Sequence, residues 1–124
     1  MRYMMLVKSP MRPCAPPKEF MEALAKLVGD NAKTGAMIQS GGLASIDIST
    51  RIRLSNGEIT IIDGPFAETK EVVGGFAEFE FKTKEDAVES TRRFMEIHQK
   101  HWPGWEGETE IRQIYGPDDF PPQP

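Results

Sequence analysis

The residues best suited to chemistry lie together in one short segment, which begins at Asp63 and reads DGPFAETKE. Asp63 or Glu68 could act as a general base, and Lys70 could tune that carboxylate or hold an anionic substrate. A structural interpretation competes with this one. In it, Asp63 caps a turn through neighbouring backbone amides, and the other charges form a solvated surface that compensates itself. The segment is therefore a candidate catalytic site whose chemistry depends on where its carboxylates point.

The same segment could instead form one wall of a ligand-binding cleft. Gly64 permits a close backbone approach, and Pro65 fixes φ at the second position of a turn, so a tight loop is expected. Arg112 could pair with a loop carboxylate, although a structural ion pair involving Glu110 is the simpler interpretation. The predicted ligand-binding residues are Asp63, Gly64, Pro65, Phe66, Lys70, Glu71 and Arg112.

The chain has two histidines, His98 and His101, three residues apart. Such a pair on a helix can begin a metal site, but no third or fourth ligand is evident, and no metal or other cofactor is expected. His98 falls on the apolar stripe of its helix, which favours a core histidine bonded to a backbone carbonyl. If a pocket adjoins this helix, His98 becomes a candidate for proton transfer near neutral pH. The candidate catalytic residues are thus Asp63, Glu68 and His98.

Two further groups of residues could contribute to a site. Cys14 lies among prolines with Arg12 as its only local positive charge, and an inert thiol is expected there. Trp102 and Trp105 flank Pro103 at a predicted helix end. Amphipathic rings in such a position fill a core or a dimer interface, or line an apolar pocket.

Hydrophobic periodicity places these residues on a small α+β domain. Apolar residues recur at helical spacing in two segments and alternate in several others, and Asn56-Gly57 between alternating runs is a strong hairpin signal. In chain order the prediction is strand 3–8, helix 17–35, strand 36–40, hairpin strands 48–54 and 59–62, strand 76–82, helix 83–102 and strand 108–115. This β-α-β-hairpin-β-α-β order is typical of the ferredoxin-like split βαβ fold, an antiparallel sheet with both helices on one face.

That fold leaves one face of the sheet without a cover. Both faces of the first strand carry apolar residues, with Tyr3 and Met5 on one side and Met4 and Leu6 on the other. A second copy of the chain would cover the open face, and we expect a homodimer.

Length and composition limit the remaining possibilities. A chain of 124 residues fits one domain, taken as 1–116, with a Pro-rich tail at 117–124. The net charge of −4 and scattered basic residues disfavour binding to nucleic acid or to an anionic membrane. One cysteine and the absence of a signal-like or membrane-spanning run predict a cytoplasmic protein.

The DGPFAETKE segment closely resembles the motif of the DGPF proteins, a bacterial branch of the YCII-related family. Its flanks agree, from the opening YMML at residues 3–6 to HQKHWPGWEG at residues 98–107, which resembles the ending of one DGPF subgroup. The resemblance covers nearly the whole chain and implies a dimeric α/β barrel with a cleft in each subunit. Some YCII-type relatives resemble enzymes with a His–Asp pair whose histidine lies in the first helix. The first helix here has no histidine, so that pair does not carry over.

Three functions are compatible with these patterns. The first is a homodimer that binds a small organic molecule in a cleft beside the 63–71 loop. The second is a cofactor-free enzyme that performs proton transfer or elimination on a small substrate, a class that includes aromatic molecules. The third is a regulatory interaction module, since the resemblance also implies genes that often lie beside those of extracytoplasmic-function sigma factors. Fold class alone does not separate them.

Overall fold

The computed structural model describes residues 1–10, 15–66 and 72–119 and shows an α+β fold within them. The elements in chain order are β1 (Arg2–Ser9), α1 (Lys18–Thr34), β2 (Met37–Gly42), a 3-10 turn (Ile46–Ile48), β3 (Thr50–Ser55), β4 (Glu58–Asp63), β5 (Val72–Glu80), α2 (Lys84–His101) and β6 (Glu108–Ile114). A four-stranded antiparallel sheet has the order β2-β5-β1-β6, and β3 pairs with β4 as a separate ribbon. The predicted ferredoxin-like fold class is confirmed.

Both helices begin and end where local sequence signals place them. Thr83 caps α2, because its side-chain oxygen accepts a hydrogen bond from the amide of Asp86 at 3.1 Å. α1 follows Pro17 and carries Glu19 in its first turn, where a negative charge is favoured. It ends at Gly35, whose φ of 74° suits a residue without a Cβ atom. Within the described residues, neither helix is long and apolar enough to cross a membrane.

The β3–β4 ribbon turns at Asn56 and Gly57, as predicted, and both have positive φ. Its first strand begins at Thr50, not at Ile48 as the alternation indicated, because Ser45 caps a 3-10 turn that absorbs residues 46–48. One face of the ribbon pairs Ile52 with Ile61 and Leu54 with Ile59. We call these four residues the hairpin face.

The start of β5 also differs from the prediction. Residues 72–75 were expected to belong to a loop, yet 72, 73 and 75 pair with β1, and the register shift between Val7 and Lys8 leaves Gly74 as the extra residue. Glycines at 74 and 75 are poor strand formers by local preference, and the tertiary pairing overrides that preference.

The core lies between the helices and the face of the sheet that carries Tyr3, Met5 and Phe79, which are 3%, 3% and 4% exposed. The hydroxyl of Thr91 on α2 lies 3.1 Å from the sulfur of Met5, so α2 rests directly on the sheet. In contrast, Leu24 on α1 remains only partly buried. The packing is therefore close under α2 and open beneath α1.

The opposite face of the sheet has no cover within the described residues. Met4 and Leu6 lie there, and Leu6 is paired across the strands with Phe76. Charged side chains on this face bind one another: Glu110 receives hydrogen bonds from both Lys8 and Arg112. The face is thus apolar in patches, and its charges are largely compensated.

Candidate functional site

The gap beneath α1 forms a cavity of about 750 Å³ between the helices and the sheet. One wall comes from α1, which contributes Phe20, Met21, Leu24, Leu27 and Val28. The sheet supplies a floor that includes Met5, Val7 and Ala77. These apolar residues recur at the period of a helix in α1 and of a strand in the sheet, so they lie on the inward faces of both. The space between α1 and the sheet is therefore an apolar cavity and not a closely packed core.

The end of the cavity is closed by aromatic rings that surround His98. The imidazole centroid lies 4.5 Å from that of Phe20, 4.6 Å from Phe94 and 4.2 Å from Trp105. Trp102 stacks parallel to it at 6.1 Å, with an interplanar angle of 7°. We call Phe20, Phe94, Trp102, Trp105 and His98 the aromatic cluster. All five residues line the cavity.

Helical spacing and a glycine position this cluster. Phe94, His98 and Trp102 follow one another at intervals of four residues, so they share one face of α2 and its last turn. Trp105 returns to the cluster because the chain reverses after α2. Gly107 makes this possible: a Cβ atom there would lie 2.6 Å from the Trp105 ring and would also strike the carbonyl of Lys8.

His98 is 4% exposed, and its Nδ1 lies 3.0 Å from the carbonyl oxygen of Phe94. The prediction of a core histidine bonded to a backbone carbonyl is confirmed. Burial lowers the pKa of His98 below its ordinary value of 6.5, and the hydrogen bond to Phe94 opposes this only in part. The ring is therefore neutral at pH 7. Since a carbonyl can only accept, Nδ1 carries the proton and Nε2 carries a lone pair.

That lone pair has no hydrogen-bond donor among the described residues. Within the same part of the chain, every fully buried side-chain nitrogen or oxygen does have a partner. Nε2 must therefore retain contact with accessible space, and His98 lines both the cavity and a second pocket that Arg92, Glu96 and Gln99 also line. No carboxylate of the described residues contacts the ring either, so a His–Asp pair is not formed around His98.

The polar groups that line the cavity come from several elements, including the segment that precedes the ribbon. Asp47 and Ser45 line the cavity, together with Ser40 on β2 and Ser90 on α2. The Ser45 hydroxyl accepts a hydrogen bond from the Asp47 amide at 3.2 Å, which fixes the 3-10 turn. Nothing in the sequence marks Asp47 as a site residue, because an isolated Asp two residues after a Ser is typical of an ordinary turn.

The predicted loop residues occupy a different position from the cavity lining. Asp63 is exposed at the end of β4, and its carboxylate accepts a hydrogen bond from Thr50 Oγ1 at 2.7 Å. Phe66 lies under the guanidinium group of Arg51, 3.9 Å from its ring centroid. Asp63, Gly64, Pro65 and Phe66 are not among the lining residues. Glu68, Lys70, Glu71 and Cys14 lie outside the described residues.

Gly64 nevertheless connects the loop to the cavity rim. Its amide donates to the carbonyl of Ser49 at 2.8 Å. A Cβ atom at this position would lie 2.8 Å from the carbonyl oxygen of Asp47 and 2.9 Å from that of Ile46. No side chain fits there, so glycine allows the loop to rest on the turn that carries Asp47. The described part of the loop therefore packs against the turn whose Asp47 lines the cavity.

Arg112 and His101 lie apart from the cavity. Arg112 donates to Glu110, and this bond, together with that from Lys8, lowers the pKa of Glu110 to about 2. Arg112 is thus a partner of Glu110, the structural pair that the sequence suggested. His101 is the last residue of α2 and does not line the cavity. In the part of the chain that is described, no three His, Cys, Asp or Glu residues cluster as a metal site would require.

Comparison with known proteins agrees with this architecture. A family model, the YCII-related domain, matches residues 1–101 of the 124-residue chain. No protein of curated function matches it. The match spans β1 through α2 and so includes both helices that wall the cavity and the whole β3–β4 ribbon. The chain belongs to the YCII-related family.

Proposed function

We propose that the protein is a homodimer that binds a small, largely apolar organic molecule in the cavity between α1, α2 and the sheet. The cavity itself carries this proposal. Its volume of about 750 Å³ falls within the range of roughly 300–1,000 Å³ that is typical of small-molecule sites. Apolar walls with a few polar groups, here His98 and Asp47, are the usual composition of such sites. Residues 63–66, the described start of the loop, lie beside the site because Gly64 contacts the turn that carries Asp47.

The protein contains its own reporter for this proposal. Its two tryptophans, Trp102 and Trp105, both line the cavity. A ligand that enters should therefore change their fluorescence. The first probe is 1-anilinonaphthalene, an uncharged molecule that becomes fluorescent in apolar surroundings and accepts energy from tryptophan. We expect saturable quenching of tryptophan emission together with a rise in probe emission.

A cavity-filling variant tests whether the probe binds at this site. Ala77 lies on the floor of the cavity, opposite the buried Met5. Ala77→Phe should weaken probe binding at least tenfold, because its ring occupies the space. Ala25→Phe introduces the same ring at an exposed position on α1 that does not line the cavity, and it should bind as the wild type does. Equal binding by both variants, or no saturable binding by the wild type, would remove the basis of the proposal.

The homodimer is supported by apolar surface that a single chain leaves open. The hairpin face is 67–72% exposed at each of its four residues, Ile52, Leu54, Ile59 and Ile61. Full burial of such a side chain contributes roughly 1.5–3 kcal/mol, so covering the exposed share of four contributes about 4–8 kcal/mol per subunit. A two-fold dimer buries the hairpin face of both subunits. The total stabilisation is therefore twice this value, which is comparable to the roughly 4–15 kcal/mol that association costs.

A second copy is the occupant that fits best because the open surfaces are chemically self-compatible. The uncovered face of the sheet is apolar at Met4 and Leu6, and its charged groups form ion pairs within the same chain, Lys8 and Arg112 with Glu110 and Arg2 with Glu78. Two such faces each carry charges of both signs, so they can meet in an arrangement that brings opposite charges together. An isologous contact would place each apolar patch against another apolar patch.

Analytical ultracentrifugation tests the dimer. The wild type should sediment at twice the mass of the chain at micromolar concentration. Ile52→Glu places a charge on the hairpin face and should shift the protein to monomer. Arg53→Glu puts a glutamate one residue further on, where the side chain lies on the other face of the ribbon, and should leave the dimer intact. A monomeric wild type would refute the dimer while leaving the cavity proposal to its own test.

A second candidate is a cofactor-free enzyme that transfers protons, and the protonation state of His98 favours it. A neutral imidazole with Nδ1–H fixed by the Phe94 carbonyl presents Nε2 as the acceptor that a general base needs. NMR can detect this activity as deuterium entering a carbon position of a bound ligand in D2O. Exchange that disappears in His98→Gln but persists in His101→Gln would support the enzyme. Binding without exchange would favour the first proposal.

A further inference from the structure

The chemistry of His98 narrows the class of ligand that the cavity would accept. Its side chain is 96% buried, yet Nε2 has no donor among the described residues. The ring cannot turn to satisfy that atom, because Nδ1 is bound to Phe94 and aromatic rings pack around it. An apolar ligand that displaced water from Nε2 would leave an acceptor buried without a donor, which is unfavourable. A ligand that reaches Nε2 is therefore favoured when it carries a donor.

The charges of the described lining residues disfavour a second class of ligand, organic anions. Among the described residues that line the cavity, none is Lys or Arg, and Asp47 is the only acidic residue. An aromatic carboxylate would therefore enter an apolar chamber without a positive partner, which opposes binding. A neutral molecule meets no such penalty.

The walls favour a planar partner. Phe20, Trp102 and Trp105 all line the cavity, and the centroids of Phe20 and Trp102 lie 5.0 Å apart with their planes tilted by 57°. Rings held at such angles offer both faces and edges to an incoming ring, and aromatic pairs prefer offset or edge-to-face contacts. A flat aromatic molecule can use these contacts without the loss of rotamer freedom that a flexible chain would suffer.

We propose that the cavity selects a neutral aromatic molecule with a hydroxyl or ring N–H group, of the phenol or indole type, whose donor binds Nε2 of His98. This inference rests on the proposed small-molecule function and specifies its ligand class. The donor atom lies against His98, and the ring lies among the aromatic cluster and the inward face of α1.

The test compares three probes that share one toluene skeleton: p-cresol, toluene and p-toluate. Binding is followed by tryptophan emission excited at 295 nm, where the probes absorb little, and by isothermal titration calorimetry. p-Cresol should bind at least about tenfold more tightly than toluene, since a hydrogen bond worth 1.4 kcal/mol corresponds to a factor of ten. It should also bind more tightly than p-toluate.

Variants at position 98 show whether the imidazole makes the distinction. His98→Phe keeps an aromatic ring but removes the acceptor, and it should bind p-cresol and toluene with affinities within about twofold. His98→Gln supplies an oxygen acceptor and should restore part of the preference. His101→Gln is the matched control and should behave as the wild type does. Long-range ¹H–¹⁵N spectra should show p-cresol shifting the Nε2 resonance of His98 and not that of His101.

Each outcome decides a separate question. Equal affinity for p-cresol and toluene, or tightest binding of p-toluate, overturns the assignment of the ligand class but leaves the cavity as a binding site. A preference for p-cresol that survives in His98→Phe overturns the role of His98. Failure of all three probes and of the anilinonaphthalene probe to bind overturns the proposed function itself.

Discussion

Burial of His98 makes the stability of the fold depend on pH in a specific direction. Its pKa is lower in the folded protein than the ordinary 6.5, mainly because burial disfavours the charged ring. Between the two values, the unfolded chain binds a proton that the folded chain does not. The stabilisation is therefore complete above pH 6.5 and declines as pH falls towards the folded-state pKa.

The size of the effect follows from proton linkage. The free energy of unfolding changes by up to about 1.4 kcal/mol for each pH unit inside this window. One unit below 6.5, at pH 5.5, His98 alone can lower stability by at most about 1.4 kcal/mol. That loss is large enough to measure against the 5–15 kcal/mol that is typical of a whole domain.

Urea unfolding of wild type and His98→Phe at pH 7.5, 6.5, 5.5 and 5.0 isolates the contribution, provided that protein concentration is fixed. Phenylalanine cannot bond to the Phe94 carbonyl, so the variant should be less stable at pH 7.5, and the gap should narrow as pH falls. His101→Phe measures the effect of removing a histidine elsewhere on α2. A gap between wild type and His98→Phe that stays constant within about 0.3 kcal/mol would refute the claim that the buried ring remains neutral.

Two further predictions concern close contacts and charge. Gly107→Ala should destabilise the fold by roughly 1–3 kcal/mol in urea unfolding, because its Cβ meets the Trp105 ring. Gly29→Ala, in α1 with nothing within 4 Å of the added atom, should instead stabilise by about 0.5–1 kcal/mol; the same sign for both would contradict the packing argument. Arg112→Ala should raise the pKa of Glu110 from about 2 towards 4.5, measured by carboxyl NMR, and an unchanged pKa would show that Arg112 is not its main partner.

Local signals were sufficient for most of the fold. The Thr83 cap, the Asn56-Gly57 turn and the alternation from Thr50 to Leu54 depend on neighbouring residues alone, and the structure agrees with each. The start of β5 could not be obtained this way. Its glycines disfavour a strand locally, and pairing with β1 on one side and β2 on the other holds this segment extended.

Local signals likewise predicted only part of the candidate site. Helical spacing placed His98 on the apolar face of α2 and predicted its bond to a backbone carbonyl. The ionisable loop drew attention for its composition, yet composition does not specify direction, and the Asp63 carboxylate is turned to Thr50 at the surface. Asp47, which lines the cavity, has no comparable signal around it in the chain.

The order of elements, the turns and caps, and the inward position of His98 were determined by the sequence by itself, because each follows from backbone preferences and from the periods of helix and strand. The tertiary structure alone decided that α1 stands away from the sheet and that Phe20 and Trp105 close around the imidazole. The reason is physical: the width of a gap between two layers depends on every side chain that packs there, and residues distant in the chain meet only after those layers have assembled.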